Sequence, residues 1–214
     1  MRTKILFLVS SLLLAMACNS TEQADQAEQA GPQAEQGEEV GMTSIFNGEN
    51  LEGWQAPENN IWWSVEDGIL KAVSDTAQTG SILWTEKEYA DFIVQADFKM
   101  GEGTVDSGIF VRSEDQQIQI GESGSLKRDM TASPYIPGKG YPVEAEGVQD
   151  LLDMDGWNTL KVRAQGAELT AWLNGEEVMN YTVENAPERG PIGFQLHPNR
   201  DMNIDFRNIM VEEI

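Results

Sequence analysis

Short strand-like segments, each closed by turn residues, follow one another along most of this chain, and this pattern constrains the fold more than any other feature. Each segment alternates apolar and polar residues or carries β-branched and aromatic side chains. The Asn174-Gly175 pair between two segments is typical of a tight β-hairpin. We predict strands over residues 62–65, 69–72, 81–84, 92–100, 107–113, 117–120, 159–164, 169–173, 176–182, 191–197 and 202–212.

The same segments indicate the fold class. Helical periodicity is scarce, and residues 148–154 are predicted to form one short helical turn. Many short strands without alternating helices are typical of two packed antiparallel sheets, not of a parallel α/β sheet. We therefore predict an all-β domain built as a β-sandwich. Residues 121–150 lack a strand pattern, and stretches of this length inside a domain are usually functional or disordered.

The first 43 residues differ from this pattern. Residues 1–17 combine a short basic start with an apolar run, which predicts an export signal. Cys18 is the only cysteine and follows Ala-Met-Ala, so this stretch is similar to a bacterial lipobox; a plain secretory signal is the alternative. Lipidation of Cys18 would anchor the protein to the bacterial cell envelope, periplasmic or surface-exposed, without a membrane span. Residues 18–43 are then a disordered acidic linker, and residues 44–214 are the folded domain.

The charge of the predicted domain limits its partners. Of the 14 basic residues two lie in the signal, and of the 36 acidic residues six lie in the linker, which leaves 30 acidic against 12 basic residues. Such a surface repels nucleic acid and anionic lipid, so we expect no nucleic-acid partner and membrane contact through the lipid anchor alone. It suits a small neutral or cationic ligand, and an ordinary solvated surface is the alternative.

Alternation places long polar side chains on one face of three predicted strands. Opposite the apolar residues stand Arg112, Gln117, Gln119, Gln195 and His197, the only histidine. Amide and guanidinium groups with aromatic rings suit a sugar, because its hydroxyls need paired donors and acceptors. An ordinary outer sheet face is the alternative. The motifs of serine hydrolases, zinc metalloproteases, P-loop proteins and dinucleotide-binding folds are absent.

An ordered set of motifs resembles the 3-keto-disaccharide hydrolase domain family from about residue 44 to the end. The motifs are FNGENLEGW (46–54), WWSVEDGIL (62–70), DSGIFVRS (106–113), QQIQIGES (116–123), SLKRDMTASPYIPGKGYP (125–142), GWNTLKVRAQG (156–166), LNGEEV (173–178) and IGFQLHPNRDMNIDFRNIMV (192–211). The resemblance implies a jelly-roll sandwich of the concanavalin A-like kind. It also implies a secreted or periplasmic protein that acts on a small carbohydrate, a 3-keto-glycoside.

A ketone at C3 of a sugar acidifies the C–H bond at C2, so that a base can remove this proton and expel the substituent at C1 by β-elimination. The reaction needs a base that titrates near neutral pH and donors for the enolate oxygen. We expect His197 to be the base, with Arg112 and Lys127 stabilising the enolate. The expected substrate-binding residues are Gln117, Gln119, Gln195, Arg128, Asp129 and Tyr135.

Three alternatives stay open from the sequence. A divalent metal held by His197, Glu122 and Asp129 would polarise the ketone instead; no other cofactor is expected. The family usually has Glu where this chain has Gln117, a departure that favours a non-catalytic carbohydrate-binding module. A purely structural envelope protein is the third alternative. One fold serves all these roles, so the geometry of the site is needed to distinguish between them.

Overall fold

The computed structural model describes residues 41–214. The predicted signal peptide, Cys18 and the linker up to residue 40 lie outside the described residues. The first strand, β1 (Thr43–Ser44), already pairs with the last strand of the chain, so the folded domain includes Thr43, which the sequence analysis assigned to the linker. No helix within residues 41–214 has the length and apolar character needed to cross a bilayer.

The described residues are built almost entirely from β-strands. These are β1, β2 (Trp54–Gln55), β3 (Trp63–Glu66), β4 (Ile69–Val73), β5 (Ser81–Tyr89), β6 (Phe92–Gly103), β7 (Asp106–Val111), β8 (Gln117–Gly121), β9 (Pro134–Tyr135), β10 (Asn158–Gln165), β11 (Glu168–Leu173), β12 (Glu176–Thr182), β13 (Gly190–Leu196) and β14 (Met202–Glu213). The one helix in this part of the chain, α1 (Val148–Leu151), lies where a short helical turn was predicted.

The strands form two antiparallel sheets, which confirms the predicted sandwich. The larger sheet has the order β12-β11-β10-β6-β14-β4-β3, with β1 paired to β14, and the smaller sheet has the order β2-β5-β13-β7-β8-β9. The predicted hairpin joins β11 to β12. Asn174 and Gly175 at its tip have φ angles of 51° and 92°, as the favoured two-residue hairpin turn requires.

Apolar side chains at alternate strand positions meet between the two sheets. In β6, every second residue from Phe92 to Phe98 is buried, and the residues between them are partly exposed. Phe194 of the smaller sheet packs edge-on against Phe206 of the larger sheet, with ring centroids 4.8 Å apart. This packing leaves the outer face of the smaller sheet available for polar residues, which is where the candidate site lies.

Residues 121–135 are packed against the smaller sheet, and Glu146 farther along bonds to β12 of the larger sheet, so residues 121–150 do not form an independent loop. Met130 and Ala132 are buried, and β9 adds to the sheet edge by pairing with β8. Farther along, the backbone N–H of Ala145 donates to Ser133 Oγ at 2.9 Å. The segment is thereby held beside the strands that carry the predicted polar face.

Candidate functional site

A groove of about 1030 Å³ lies on the outer face of the smaller sheet. This volume is at the upper end of the roughly 300–1,000 Å³ that is typical of small-molecule sites. Side chains from β5, β7, β8, β9 and β13 form its floor. Chain segments near residues 57–62, 123–127 and 197–200 line its sides.

Strand register places aromatic side chains at one end of the floor. Trp84 of β5 pairs with Gly193 of β13, and Gly193 pairs with Phe110 of β7. The rings of Trp84 and Phe110 have centroids 5.5 Å apart. We call Trp84, Gly193 and Phe110 the aromatic row.

Three buried glutamines, Gln117, Gln119 and Gln195, form an amide cluster in the middle of the floor. Gln117 Nε2 donates to Gln195 Oε1 at 2.6 Å and to the carbonyl of Ser107 at 3.2 Å. A Cβ at Gly108 would lie 2.4 Å from Gln117 Nε2, so this amide crosses its neighbouring strand only because a glycine is there. A carboxylate at position 117 cannot donate to either oxygen, so the glutamine that departs from the family pattern has a structural reason.

Charged residues stand at the other end of the floor and form what we call the charged cluster: Asp106, His197 and Arg200. Asp106 is 2% exposed. Its Oδ1 accepts from Gln119 Nε2 at 2.8 Å, and its Oδ2 accepts from Arg200 Nε at 3.2 Å and lies 4.0 Å from His197 Nε2. A Cβ at Gly124 would lie 3.1 Å from both the Asp106 carboxylate and the Arg200 guanidinium. The absence of a side chain at Gly124 therefore lets the segment near residues 123–127 approach this pair closely.

His197 is the first residue after β13, and its side chain is 36% exposed. Its Nδ1 lies 2.6 Å from the carbonyl oxygen of Pro198. Because a carbonyl oxygen only accepts, Nδ1 carries the proton in this hydrogen bond, and the lone pair of the neutral ring is on Nε2. The backbone therefore holds the imidazole with Nε2 at 4.0 Å from Asp106 Oδ2.

Two tyrosines line the groove beside the amide cluster. The hydroxyl of Tyr141 donates to Gln119 Oε1 at 3.1 Å, and its ring contacts that of Tyr135 with centroids 5.3 Å apart. Burial raises the pKa of Tyr141 to about 12. Its hydroxyl is therefore protonated at neutral pH and acts as a neutral hydrogen-bond donor.

The match to known families covers almost all of the described chain. The model of the 3-keto-alpha-glucoside-1,2-lyase-like domain matches residues 41–212. The chain belongs to this family. The match confirms the resemblance drawn from the motifs.

Solved structures share the sandwich of the 3-keto-alpha-glucoside-1,2-lyase-like domain. Two candidate glycosyl hydrolases from Parabacteroides distasonis have TM-scores of 0.60 and 0.61, at 20% and 24% identity; both alignments cover 81% of this chain, and they cover 94% and 99% of the other chains. The carbohydrate-binding module CBM66 from Bacillus subtilis has a TM-score of 0.50 at 16% identity, over 75% of this chain and 96% of its own. At these identities the likeness shows the fold alone. No curated protein sequence matches the chain.

In this family member Arg112 does not lie in the predicted site. β7 ends at Val111, and Arg112 has a φ of 64°, which breaks the alternation that grouped it with Gly108 and Phe110. Its side chain is fully buried and outside the groove, where its N–H groups donate to four backbone carbonyls and to Asp91. The prediction that Arg112 stabilises the enolate was wrong, because its guanidinium is outside the groove and its hydrogen bonds hold backbone segments together.

The other predicted residues divide into two groups. Lys127 and Tyr135 line the groove, together with the three glutamines and His197. Arg128 instead pairs with Glu144 at the surface, and Asp129 accepts from the backbone N–H two residues later in its own turn. Neither Arg128 nor Asp129 lines the groove.

The metal alternative receives no support from the described residues. Glu122 and Asp129 pair across an isolated bridge, but neither lines the groove that contains His197. Within residues 41–214, no three His, Cys, Asp or Glu side chains are grouped as ligands for a metal ion.

Sequence reasoning did not select Asp106 and Arg200 for the site. Asp106 lies two residues before Gly108, so extending the alternation of β7 by one step would have placed it on the groove face. Arg200 lies outside a strand, in a turn where Asn199 has a φ of 60°, and no periodic pattern marks it. Its position in the closing family motif was the available signal.

Proposed function

We propose that this protein cleaves the glycosidic bond of 3-keto-glycosides by β-elimination. The C2–H bond breaks and its electrons form a double bond between C1 and C2. The bond from C1 to the glycosidic oxygen breaks, and the departing oxygen takes up a proton. The product is an enone, and addition of water to it gives net hydrolysis. One observation carries the proposal: a groove in a member of this family contains an imidazole whose Nδ1 is held by a backbone carbonyl and whose Nε2 lies 4.0 Å from a buried carboxylate.

His197 is the proposed base for the C2 proton. Uptake of this proton makes the imidazole a cation, which the Asp106 carboxylate at 4.0 Å stabilises. Asp106 is a poorer candidate for the base, because Gln119 and Arg200 already donate to its two oxygens and the residue is buried. In this proposal Asp106 is a positioning residue.

Arg200 is the proposed donor to the oxygen of the enolate. It lines the groove beside His197, and preorganised donors at a developing negative charge are usually the largest contribution to catalysis. Arg200 brings a permanent positive charge, whereas the one O–H of Tyr141 already donates to Gln119 and positions that amide. Lys127 adds a cation to the lining of the groove, and the amide cluster supplies donors and acceptors for sugar hydroxyls.

Turnover of a defined 3-keto-glycoside tests the proposal. We expect purified protein to convert methyl 3-keto-α-glucoside and 3-keto-trehalose, with an enone absorbance and release of methanol or free sugar. A chelator is expected to leave the rate unchanged, because the proposed roles belong to side chains. Binding of both compounds without consumption would contradict the elimination and make the protein a carbohydrate-binding module.

We also propose that a lipid on Cys18 anchors the protein to the bacterial cell envelope. The support is the lipobox-like sequence and the absence of any other cysteine in the chain. We expect Cys18→Ser to abolish incorporation of labelled palmitate and to move the protein to the soluble fraction of a bacterial lysate. Ser10→Ala, in the apolar run of the same predicted signal, is the control and should remain in the membrane fraction. A Cys18→Ser protein that still carries the label would contradict this proposal.

A further inference from the structure

The aromatic row lies at the end of the groove away from the proposed base. His197 lies four positions after Gly193, which is about 13 Å of extended backbone. A sugar ring that presents C2 to His197 therefore lies over the charged cluster and the neighbouring amides, and it does not reach Trp84. The aromatic row is left for the group attached at C1.

Gly193 gives this end of the groove its shape. A Cβ at Gly193 would lie 2.5 Å from Trp84 Cζ3 and 2.6 Å from Trp84 Cε3, so the indole lies directly over the glycine. The indole then meets the ring of Phe110 at an interplanar angle of 35°. Trp84 is partly exposed and Phe110 is only 5% exposed, so the indole, packed against Phe110, supplies most of the aromatic surface that faces the groove.

The surroundings of the aromatic row favour a planar apolar group over a second sugar. Gln117, which pairs with Phe110 in the next strand, has its amide N–H groups directed at Gln195 and Ser107. The carboxylate of Glu114 is exposed and adds an acceptor to the lining. Ile82 is a further apolar neighbour, because its Cγ2 would lie 3.0 Å from a Cβ at Gly193. A sugar needs paired donors and acceptors for each hydroxyl, whereas an aromatic ring needs a stacking surface.

We propose that the aromatic row binds the leaving group and selects 3-keto-glycosides of neutral phenols. This inference rests on the proposed function and names its substrate class. The C1–O bond breaks with both electrons passing to the phenol oxygen, which takes up the proton that His197 removed from C2. The excess of 30 acidic over 12 basic residues in residues 44–214 disfavours an anionic aglycone.

The acid–base properties of the groove agree with a phenolic leaving group. A phenol with a pKa near that of a tyrosine side chain, about 10, leaves C1 more readily than a sugar alcohol does. In this proposal the phenol oxygen takes up the proton that His197 removed from C2, so no second acid is needed.

The binding test uses phenyl α-glucoside and methyl α-glucoside, which both lack the ketone needed for elimination. By calorimetry we expect the wild-type protein to bind the phenyl compound about 10-fold more tightly, because its ring stacks on Trp84. Trp84→Ala and the bulkier Trp84→Leu are expected to remove this preference. Trp172→Ala, which removes a partly exposed tryptophan from the larger sheet, is the matched control and should retain it. Equal affinities in the wild-type protein, or a preference that survives both Trp84 variants, would overturn the inference.

The turnover test separates this inference from the proposed function. We expect kcat/KM for phenyl 3-keto-α-glucoside to exceed that for 3-keto-trehalose, and Trp84→Leu to lower the phenyl-to-methyl ratio of kcat/KM about 10-fold. Faster turnover of 3-keto-trehalose would overturn the phenol selectivity and leave the elimination standing. Conversely, a phenyl preference in binding without turnover of any 3-keto-glycoside would overturn the elimination and support the aromatic row as an aryl-binding site.

Discussion

His197→Ala is expected to lower turnover of methyl 3-keto-α-glucoside by about 100- to 10,000-fold, the usual range for loss of a general base. The fold should persist, because His197 follows the end of β13 and its side chain is 36% exposed. The expected measurement is a fall in kcat at an unchanged thermal unfolding temperature. Loss of a base lowers the rate of the chemical step, so the effect should be on kcat more than on KM.

Chemical rescue distinguishes a base from a residue that only shapes the groove. Free imidazole should restore part of the turnover of His197→Ala, since the truncated side chain leaves an open position beside Asp106. Imidazole should not restore Asp106→Asn, because that variant keeps the histidine and loses the carboxylate that stabilises its cation. Turnover in His197→Ala equal to the wild type would exclude His197 as the base and direct attention to Asp106.

Much of the sandwich could be predicted because alternation is a local property. The long strands β6, β10 and β14 each show a period of two over many residues, and the Asn174-Gly175 turn carries its own backbone preference. The three two-residue strands β1, β2 and β9 were missed, because two residues are too few to show a period. Their pairing depends on partners that are distant in the sequence.

The site was predictable only as far as the alternation was unbroken. β8 and β13 keep it, so Gln117, Gln119, Gln195 and His197 line one groove as expected. At Arg112 a single positive φ directs the side chain away from the groove face of the sheet. The types of the neighbouring residues do not predict this angle. The charged cluster brings together residues that are almost a hundred positions apart in the sequence. The order of the strands in the sheet makes them neighbours, and a local sequence pattern does not reveal that order.

The side chain of Arg112 connects the two sheets by hydrogen bonds. Among the residues discussed, we expect the loss of this side chain to destabilise the fold most. All five of its N–H donors are used, which is the full capacity of a guanidinium. Their acceptors are the carbonyls of Ala90, Ala164, Gly166 and Pro187 and the carboxylate of Asp91. Ala90 and Asp91 follow β5 of the smaller sheet, and Pro187 precedes β13 of the same sheet. Ala164 lies in β10 of the larger sheet, and Gly166 lies in the turn after it. The side chain of Arg112 therefore links segments of both sheets.

We expect Arg112→Ala to lower the free energy of unfolding by about 3 to 5 kcal/mol, because it leaves the buried carbonyl of Ala164 and three part-buried carbonyls without donors and Asp91 without its counter-ion. Arg112→Lys keeps the charge and the backbone angle but loses the planar fork, so it should recover only part of this loss. Urea unfolding followed by tryptophan fluorescence measures both. Arg189→Ala is the matched control: Arg189 is 55% exposed and pairs with Glu88 at the surface, so its loss should cost under about 1 kcal/mol. An Arg112→Ala protein as stable as Arg189→Ala but without turnover would return Arg112 to a catalytic role.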